Sequence, residues 1–150
     1  MSARGHTPLY TPEQRKRRDE SPWTLVQGIL APVQFAICIV SAGLVIRFLM
    51  TGDGYAAATA SVIVKTVALY TIMVTGAIWE KEVFGQYLLA PGFFWEDVVS
   101  FLVIALHTLY LGGLLTGALS AGQLMWLALV AYAVYAVNAL QFLWKLRQAR

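Results

Sequence analysis

Residues 24–46 read TLVQGILAPVQFAICIVSAGLVI, an apolar run without one charged side chain. A helix of about 20 residues crosses the hydrocarbon core of a bilayer. Backbone in lipid must satisfy its own hydrogen bonds, so a run of this length is predicted to be a transmembrane helix. Three similar runs follow at 56–79, 98–119 and 124–144. The sequence therefore predicts an all-α, polytopic membrane protein with four transmembrane helices.

The composition of the whole chain agrees with this prediction. Of its 150 residues, 59% are hydrophobic and only 13% are charged, whereas a soluble domain has about 45–50% apolar residues. We therefore divide the chain into a polar, basic tail at 1–22, predicted to be flexible, and a four-helix membrane domain at 23–150. The single cysteine, Cys38, excludes an intrachain disulfide.

The distribution of Lys and Arg predicts the orientation. Cytoplasmic segments next to transmembrane helices are enriched in these two residues. The tail before the first span carries five of them and the segment after the last span carries three, whereas the loops at 47–55 and 120–123 carry only Arg47. Both termini are therefore expected on the cytoplasmic side. The basic ends also suit anionic lipid headgroups better than nucleic acid.

One face of the third predicted span is polar. Glu96, Ser100, Val103, His107 and Tyr110 recur there at helical spacing, and His107 sits near the middle of the span. A histidine at this depth can hydrogen-bond to a neighbouring helix, ligate magnesium or haem, or transfer protons. The spacing alone does not choose among these roles.

Polar residues also lie inside the other spans. Lys65 is costly at mid-membrane, and it either extends toward the outer surface or serves a function. Pro32 predicts a kink in the first span. The other polar side chains share one face of their span, which is typical of helix–helix packing. They are Gln27, Gln34, Cys38 and Ser41 in the first span, and Tyr135, Asn138, Gln141 and Lys145 in the fourth.

The connection between the second and third spans is rich in acids. Residues 79–82 read WEKE and residues 95–97 read WED, and they flank an apolar middle with a Pro-Gly turn at 91–92. Interfacial tryptophans and acids at a helix N-terminus explain part of this pattern. Four carboxyl groups beside an apolar segment also suit proton chemistry on a substrate in the membrane. The candidate catalytic residues are Glu80, Glu82, Glu96 and Asp97.

The remaining residues exclude several kinds of site. Only one histidine, His107, lies within a predicted span, so one chain cannot provide bis-histidine haem ligation. No set of His, Cys and Glu residues has the spacing of a zinc or di-iron site. No phosphate-binding loop is present, and no Ser-His-acid triad can be proposed. We expect no metal or other cofactor.

Several segments resemble one known family. Residues 21–32, SPWTLVQGILAP, and 75–87, TGAIWEKEVFGQY, are similar to the vinyl bacteriochlorophyllide hydratase family, as are FWED at 94–97, LHT at 106–108 and NALQFLWK at 138–145. The resemblance covers about residues 10–147. It implies a hydro-lyase that adds water across the C3-vinyl group of chlorophyllide a or bacteriochlorophyllide. The product would be the 3-(1-hydroxyethyl) pigment of bacteriochlorophyll biosynthesis.

The resemblance also implies the setting of the protein. It would be a multi-pass protein of the bacterial inner membrane, cytoplasmic or photosynthetic, that needs no cofactor. Its partners would be the pigment substrate and membrane lipid, with no nucleic acid. A homo-oligomer, or association with other pigment-synthesis enzymes, is compatible with this setting.

Alkene hydration needs a proton for one carbon and a base for the attacking water. We expect Glu80 and Glu96 to supply the acid, because the indole next to each desolvates a carboxyl and keeps it protonated. Glu82 and Asp97 are further candidates, and His107 is the predicted axial ligand of the substrate's magnesium. One of two lysines, Lys81 or Lys145, would pair with the propionate of the substrate. The other candidate substrate-binding residues are Tyr110, Trp79, Trp95 and Asn138.

Two other functions stay open on the sequence alone. A non-catalytic pigment-binding or assembly protein would need binding groups but no acid. A small four-helix transporter coupled to protons would require a carboxylate at mid-membrane. Every Asp and Glu of this chain lies outside the four apolar runs, which disfavours the transporter.

Overall fold

The architecture is a bundle of long helices. The computed structural model describes residues 8–149, and within that range it contains five α-helices and a short 3₁₀ helix, Pro91–Phe93. Four of the α-helices are long and apolar enough to cross a membrane, which confirms the all-α class and the predicted number of helices of spanning length. The α-helices are α1 (Pro12–Glu20), α2 (Pro22–Thr51), α3 (Tyr55–Phe84), α4 (Phe94–Thr116) and α5 (Ala121–Gln148).

The polar tail contains a helix, α1, that its composition did not indicate. Thr11 and Gln14 form a capping box, in which each side chain accepts a hydrogen bond from the backbone N–H of the other residue, at 3.1 and 2.9 Å. A capping box satisfies free N–H groups and so favours a helix start, and Pro12 stands where no N–H donor is needed. The tail was predicted to be flexible, and α1 corrects that prediction for residues 12–20.

A glycine ends each of three long helices, α2, α3 and α4. Gly85 follows α3 with φ 85° and Gly117 follows α4 with φ 71°, a backbone conformation that Gly adopts at little cost. The third span was predicted to extend to residue 119. Helix α4 ends earlier, at Thr116, because Gly117 stops the helix. The predicted first span lies within α2, which continues through Pro32.

The bundle turns its polar faces inward. Helix α2 packs mainly on α3 and α4 packs mainly on α5, while α5 also contacts α2. Gln34, His107 and Asn138 are buried, whereas apolar side chains such as Leu115 and Leu25 are exposed on the outside. An apolar exterior suits lipid. The inward polar side chains suit a membrane bundle as well, because association of helices in a membrane relies on packing and polar contacts.

The two ends of the bundle differ. One end carries the turns at 52–54 and 117–120. The other carries α1, the connection 85–93 and the last described residues, where Arg15 Nη2 donates to the Ala149 carbonyl at 3.3 Å. We call this second end the site end. It holds the four candidate carboxyl groups, those of Glu80, Glu82, Glu96 and Asp97.

Candidate active site

Two carboxyl groups meet at the site end. Glu80 lies near the C-terminus of α3, and Asp97 lies in the first turn of α4. Glu80 is 4% exposed and Asp97 is 2% exposed, and the two carboxyl groups accept from the successive backbone N–H groups of Ala90 and Leu89, which makes them neighbours. Because one proton held between two buried neighbouring carboxyl groups removes the repulsion of two like charges, we expect the pair to share a proton. It can therefore offer a general acid and a general base at one place.

The connection from α3 to α4 folds back over this acid pair. The backbone N–H of Leu89 donates to Asp97 Oδ2 at 2.9 Å, and that of Ala90 donates to Glu80 Oε2 at 3.3 Å. Leu89 has φ 61°, in the left-handed region that residues other than Gly rarely adopt. This backbone conformation directs two successive N–H groups to the two acids.

Aromatic rings pack around Phe93, which is almost fully buried at the site end. Its ring centroid lies 5.7 Å from that of Trp79, 5.8 Å from that of Phe84 and 5.7 Å from that of Phe142. Tyr10 stacks on Phe84 at 5.7 Å. These rings form an apolar cluster at the site end, and hydrogen bonds in apolar surroundings are stronger than in water.

Glu96 is also buried but faces α5. Its Oε1 lies 3.5 Å from Lys145 Nζ, an ion pair without a hydrogen bond, and Lys145 Nζ donates instead to the Gly92 carbonyl at 2.8 Å. The backbone carbonyl of Glu96 accepts from Asn138 Nδ2 and from Ser100 Oγ, each at 2.9 Å. These contacts fix the start of α4 against α5.

The structure pairs Glu80 with Asp97, whereas the sequence predicted that Glu80 acts with Glu96. Neighbouring residues on an α-helix are turned by about 100°. Glu96 therefore points to α5, and Asp97 points to α3. The two tryptophans differ as well, because Trp79 belongs to the aromatic packing around Phe93 whereas Trp95 is 68% exposed.

Two further candidates, Glu82 and Lys81, point away from the acid pair. Glu82 is exposed and accepts a hydrogen bond from Ser21 Oγ at 2.6 Å. Lys81 is exposed, donates to the Gly85 carbonyl at 3.2 Å and lies 5.5 Å from the Tyr87 ring. Their contacts support the helix ends at this surface rather than the acid pair.

His107 belongs to a separate polar cluster in the bundle interior. Its Nδ1 donates to the Val103 carbonyl at 2.8 Å, so its Nε2 is free to accept from Lys65 Nζ, 3.4 Å away. Lys65 Nζ also donates to Gln34 Oε1 at 2.9 Å and lies 3.9 Å from the centre of the Tyr135 ring. Lys65 is fully buried, so its side chain does not extend to the outer surface.

The interior cluster is distant from the acid pair. His107 follows Asp97 by ten residues on α4, which is about 15 Å along a helix. Tyr110, one turn further, is buried, and its hydroxyl has no hydrogen-bond partner among the described residues. The structure therefore does not bring His107 and Tyr110 to the acid pair.

Sequence reasoning missed the backbone part of the site. The N–H groups of Leu89 and Ala90 carry no signal in the sequence, because any residue other than proline has an N–H group. Phe93 and Phe142 were not singled out either. The aromatic content of the segment before α4 was a signal for Phe93, but Phe142 approaches it only through the pairing of α4 with α5.

Two grooves open elsewhere on the molecule, with volumes of about 360 and 260 Å³. Neither is lined by Glu80 or Asp97, and the burial of these two residues closes the acid pair in this conformation. The first groove is lined by Ala36, Ile37, Val40, Ser61 and Val64, and the second by Arg17, Glu20, Ser21, Pro22 and Glu82.

The sequence is similar to known proteins over nearly its whole length. A family model described as 2-vinyl bacteriochlorophyllide hydratase (BCHF) matches residues 10–148. A 2-vinyl bacteriochlorophyllide hydratase of Cereibacter sphaeroides is 68% identical over 145 residues, which cover 97% of this chain and 90% of the relative. The protein of the same name from Rhodobacter capsulatus is 68% identical over 142 residues, covering 95% and 82%. No solved structure matches the chain.

Proposed function

The chain belongs to the 2-vinyl bacteriochlorophyllide hydratase family, and from this membership we propose how its residues carry out the family's reaction. The protein is a hydro-lyase of bacteriochlorophyll biosynthesis that adds water to the vinyl group of a bacteriochlorophyllide substrate. That group is numbered 2 in the family name and C3 in the numbering used above. The family identified from the sequence segments is thus confirmed.

The buried Glu80–Asp97 pair is the observation that carries the mechanism. One carboxyl group gives its proton to the terminal vinyl carbon as the π bond breaks. The cation left on the inner carbon is stabilised by conjugation with the macrocycle. Water attacks that carbon, and the other carboxylate takes the proton that the water loses. The product is a 1-hydroxyethyl group, and no redox step occurs.

Access to the acid pair requires movement of the connection 85–93, because the acids are buried beneath it. This movement must break the hydrogen bonds from its two N–H groups to the acids, and those that Lys145 and Lys81 donate to the Gly92 and Gly85 carbonyls. Exposed aromatic side chains beside the connection offer an apolar surface to a flat macrocycle. These side chains are Tyr87, Phe94 and Trp95.

Lys145 is the residue we assign to the substrate's propionate. Its side chain is 31% exposed, and its ammonium group lies between Glu96 and the Gly92 carbonyl at the edge of the site end. A surface-accessible cation can bind a carboxylate while the macrocycle stays in lipid. Asn138 supports the start of α4 through the Glu96 carbonyl and so positions the site rather than the pigment.

The site end is assigned to the cytoplasmic side of the bacterial inner membrane. It carries the first and the last described residues and the basic helix α1, with Arg15, Lys16, Arg17 and Arg18. The opposite end carries Arg47 alone among Lys and Arg residues of its loops. The positive-inside rule supports this orientation, in which the polar propionate can remain at the cytoplasmic surface.

His107 is assigned to helix packing, in place of the axial magnesium ligand expected from the sequence. Both of its ring nitrogens face protein atoms, Val103 O and Lys65 Nζ. Ligation of a pigment magnesium by Nε2 would leave Lys65 without one of its acceptors in the membrane interior, which is costly.

Glu80→Gln and Asp97→Asn test the proposed function. General acid–base catalysis contributes about 10²–10⁴-fold, so each variant should lose turnover of C3-vinyl chlorophyllide a by that order. Pigment binding, followed by the shift of its absorption bands, should be nearly unchanged. Glu82→Gln is the matched control, because Glu82 is exposed in the same segment and should keep near-normal turnover. Full activity in both pair variants would refute the assignment, and binding without turnover by the wild type would indicate a pigment carrier.

A further inference from the structure

We propose that the two acids have fixed roles: Glu80 protonates the vinyl group, and Asp97 takes the proton from the attacking water. This inference rests on the proposed function and goes beyond it, because family membership does not say which acid does what. It is drawn from the helix ends on which the two residues lie and from the N–H groups directed at them.

The helix ends favour a charge on Asp97 and a proton on Glu80. Asp97 lies in the first turn of α4, where free N–H groups and the helix dipole stabilise an anion. Glu80 lies near the C-terminus of α3, an end of the helix that has no free N–H groups to stabilise an anion. The O–H of Glu80 is then the donor in the hydrogen bond between the two residues.

The connection 85–93 also favours a charge on Asp97 and a proton on Glu80. Leu89 N–H donates to Asp97 at 2.9 Å, whereas Ala90 N–H donates to Glu80 at the longer distance of 3.3 Å. Hydrogen bonds to an ionised acceptor are shorter and stronger than those to a neutral one. The other charged neighbour, Glu96, is offset by Lys145 at 3.5 Å and so opposes a charge on Asp97 only weakly.

The contact between the acids also closes the catalytic cycle. Glu80 loses its proton to the terminal vinyl carbon, and the new C–H bond replaces the π bond. Asp97 gains the proton that water loses as the C–O bond forms. That proton then returns from Asp97 to Glu80 through their hydrogen bond. Over one cycle the reaction consumes one water molecule, and the acid pair returns to its initial protonation state.

Azide separates the two roles, because it is a nucleophile that needs no base. In Asp97→Asn, Glu80 can still form the cation, and azide can attack it to give a 1-azidoethyl pigment. We expect sodium azide to restore substrate consumption in Asp97→Asn by at least about tenfold. Glu80→Gln should form no azide adduct, since it cannot make the cation. Mass spectrometry of the pigments reads out both results.

Deuterium exchange gives a second measurement on the same variants. In heavy water without azide, Asp97→Asn should protonate and deprotonate the vinyl group reversibly, so recovered substrate should carry deuterium on its terminal carbon. Substrate recovered from Glu80→Gln should carry none. If an amide variant fails to bind pigment, Glu80→Ala and Asp97→Ala replace it.

The outcomes distinguish this inference from the proposed function. Azide rescue and exchange in Glu80→Gln, with neither in Asp97→Asn, would reverse the two roles and leave the acid pair as the site. Absence of rescue and exchange in both variants would overturn the fixed roles. Normal hydration by both variants without azide would instead remove the acid pair from catalysis.

Discussion

Leu89 has the most unusual backbone conformation of the described residues. Among residues 8–149 it is the only one other than glycine with a positive φ, at 61°. For a residue with a Cβ atom this conformation costs about 1–2 kcal/mol. The strained residue is the one whose N–H binds Asp97, so the acid pair and the loop conformation support each other.

Substitutions of Leu89 test this link. Asn tolerates the left-handed region, whereas Val, which is branched at Cβ, does not. Leu89→Asn should retain most of the turnover. Leu89→Val should lower it by about five- to thirtyfold, the effect of roughly 1–2 kcal/mol on an equilibrium, with a similar unfolding temperature. Steady-state turnover and thermal unfolding in detergent provide the readouts. Equal turnover in both variants would separate the loop conformation from catalysis.

At the scale of the helices, α4 divides its polar residues between two neighbours. The face with Glu96, Ser100 and His107 was predicted from spacing, and these residues are indeed buried. Asp97 lies outside that face and is buried because α3 passes beside it. Spacing within one helix could predict which residues share a face, but it could not predict which neighbouring helix each residue meets.

The packing role of His107 predicts the outcome of His107→Ala. The substitution removes an acceptor from Lys65 Nζ, and an unsatisfied buried polar group costs roughly 1–3 kcal/mol. We expect a lower unfolding temperature and equal effects on binding of the magnesium pigment and of its magnesium-free form. Leu109→Ala, on the exposed face of the same helix, is the control. Selective loss of magnesium-pigment binding would restore His107 as the axial ligand.

At the scale of the whole molecule, the four spans could be predicted because hydrophobic length alone determines them. Except at the C-terminus of α4, the helices extend beyond the apolar runs, since their polar ends find caps such as Ser120, whose side chain accepts from Gln123 N–H at 3.2 Å. The path of the connection 85–93 could not be predicted. Its conformation depends on contacts with Glu80, Asp97 and Lys145, which exist only after the helices assemble.

The orientation of the bundle is testable with reporter fusions. Fusions after residue 150 and within the connection 85–93 should report the cytoplasm, and fusions at Asp53 and at Ala121 should report the periplasm. The reason is the excess of Lys and Arg at the site end. A periplasmic C-terminus, or opposite sides for residue 150 and the connection, would contradict the assigned topology.

The most direct test of the whole account is turnover of C3-vinyl chlorophyllide a by the purified protein in heavy water. Protonation of the terminal carbon before attack by water predicts a 1-hydroxyethyl product with one deuterium fixed in its methyl group. The Glu80→Gln variant should yield almost none of this product under the same conditions. A product with its hydroxyl group on the terminal carbon, a methyl group without deuterium, or undiminished product from Glu80→Gln would contradict the account.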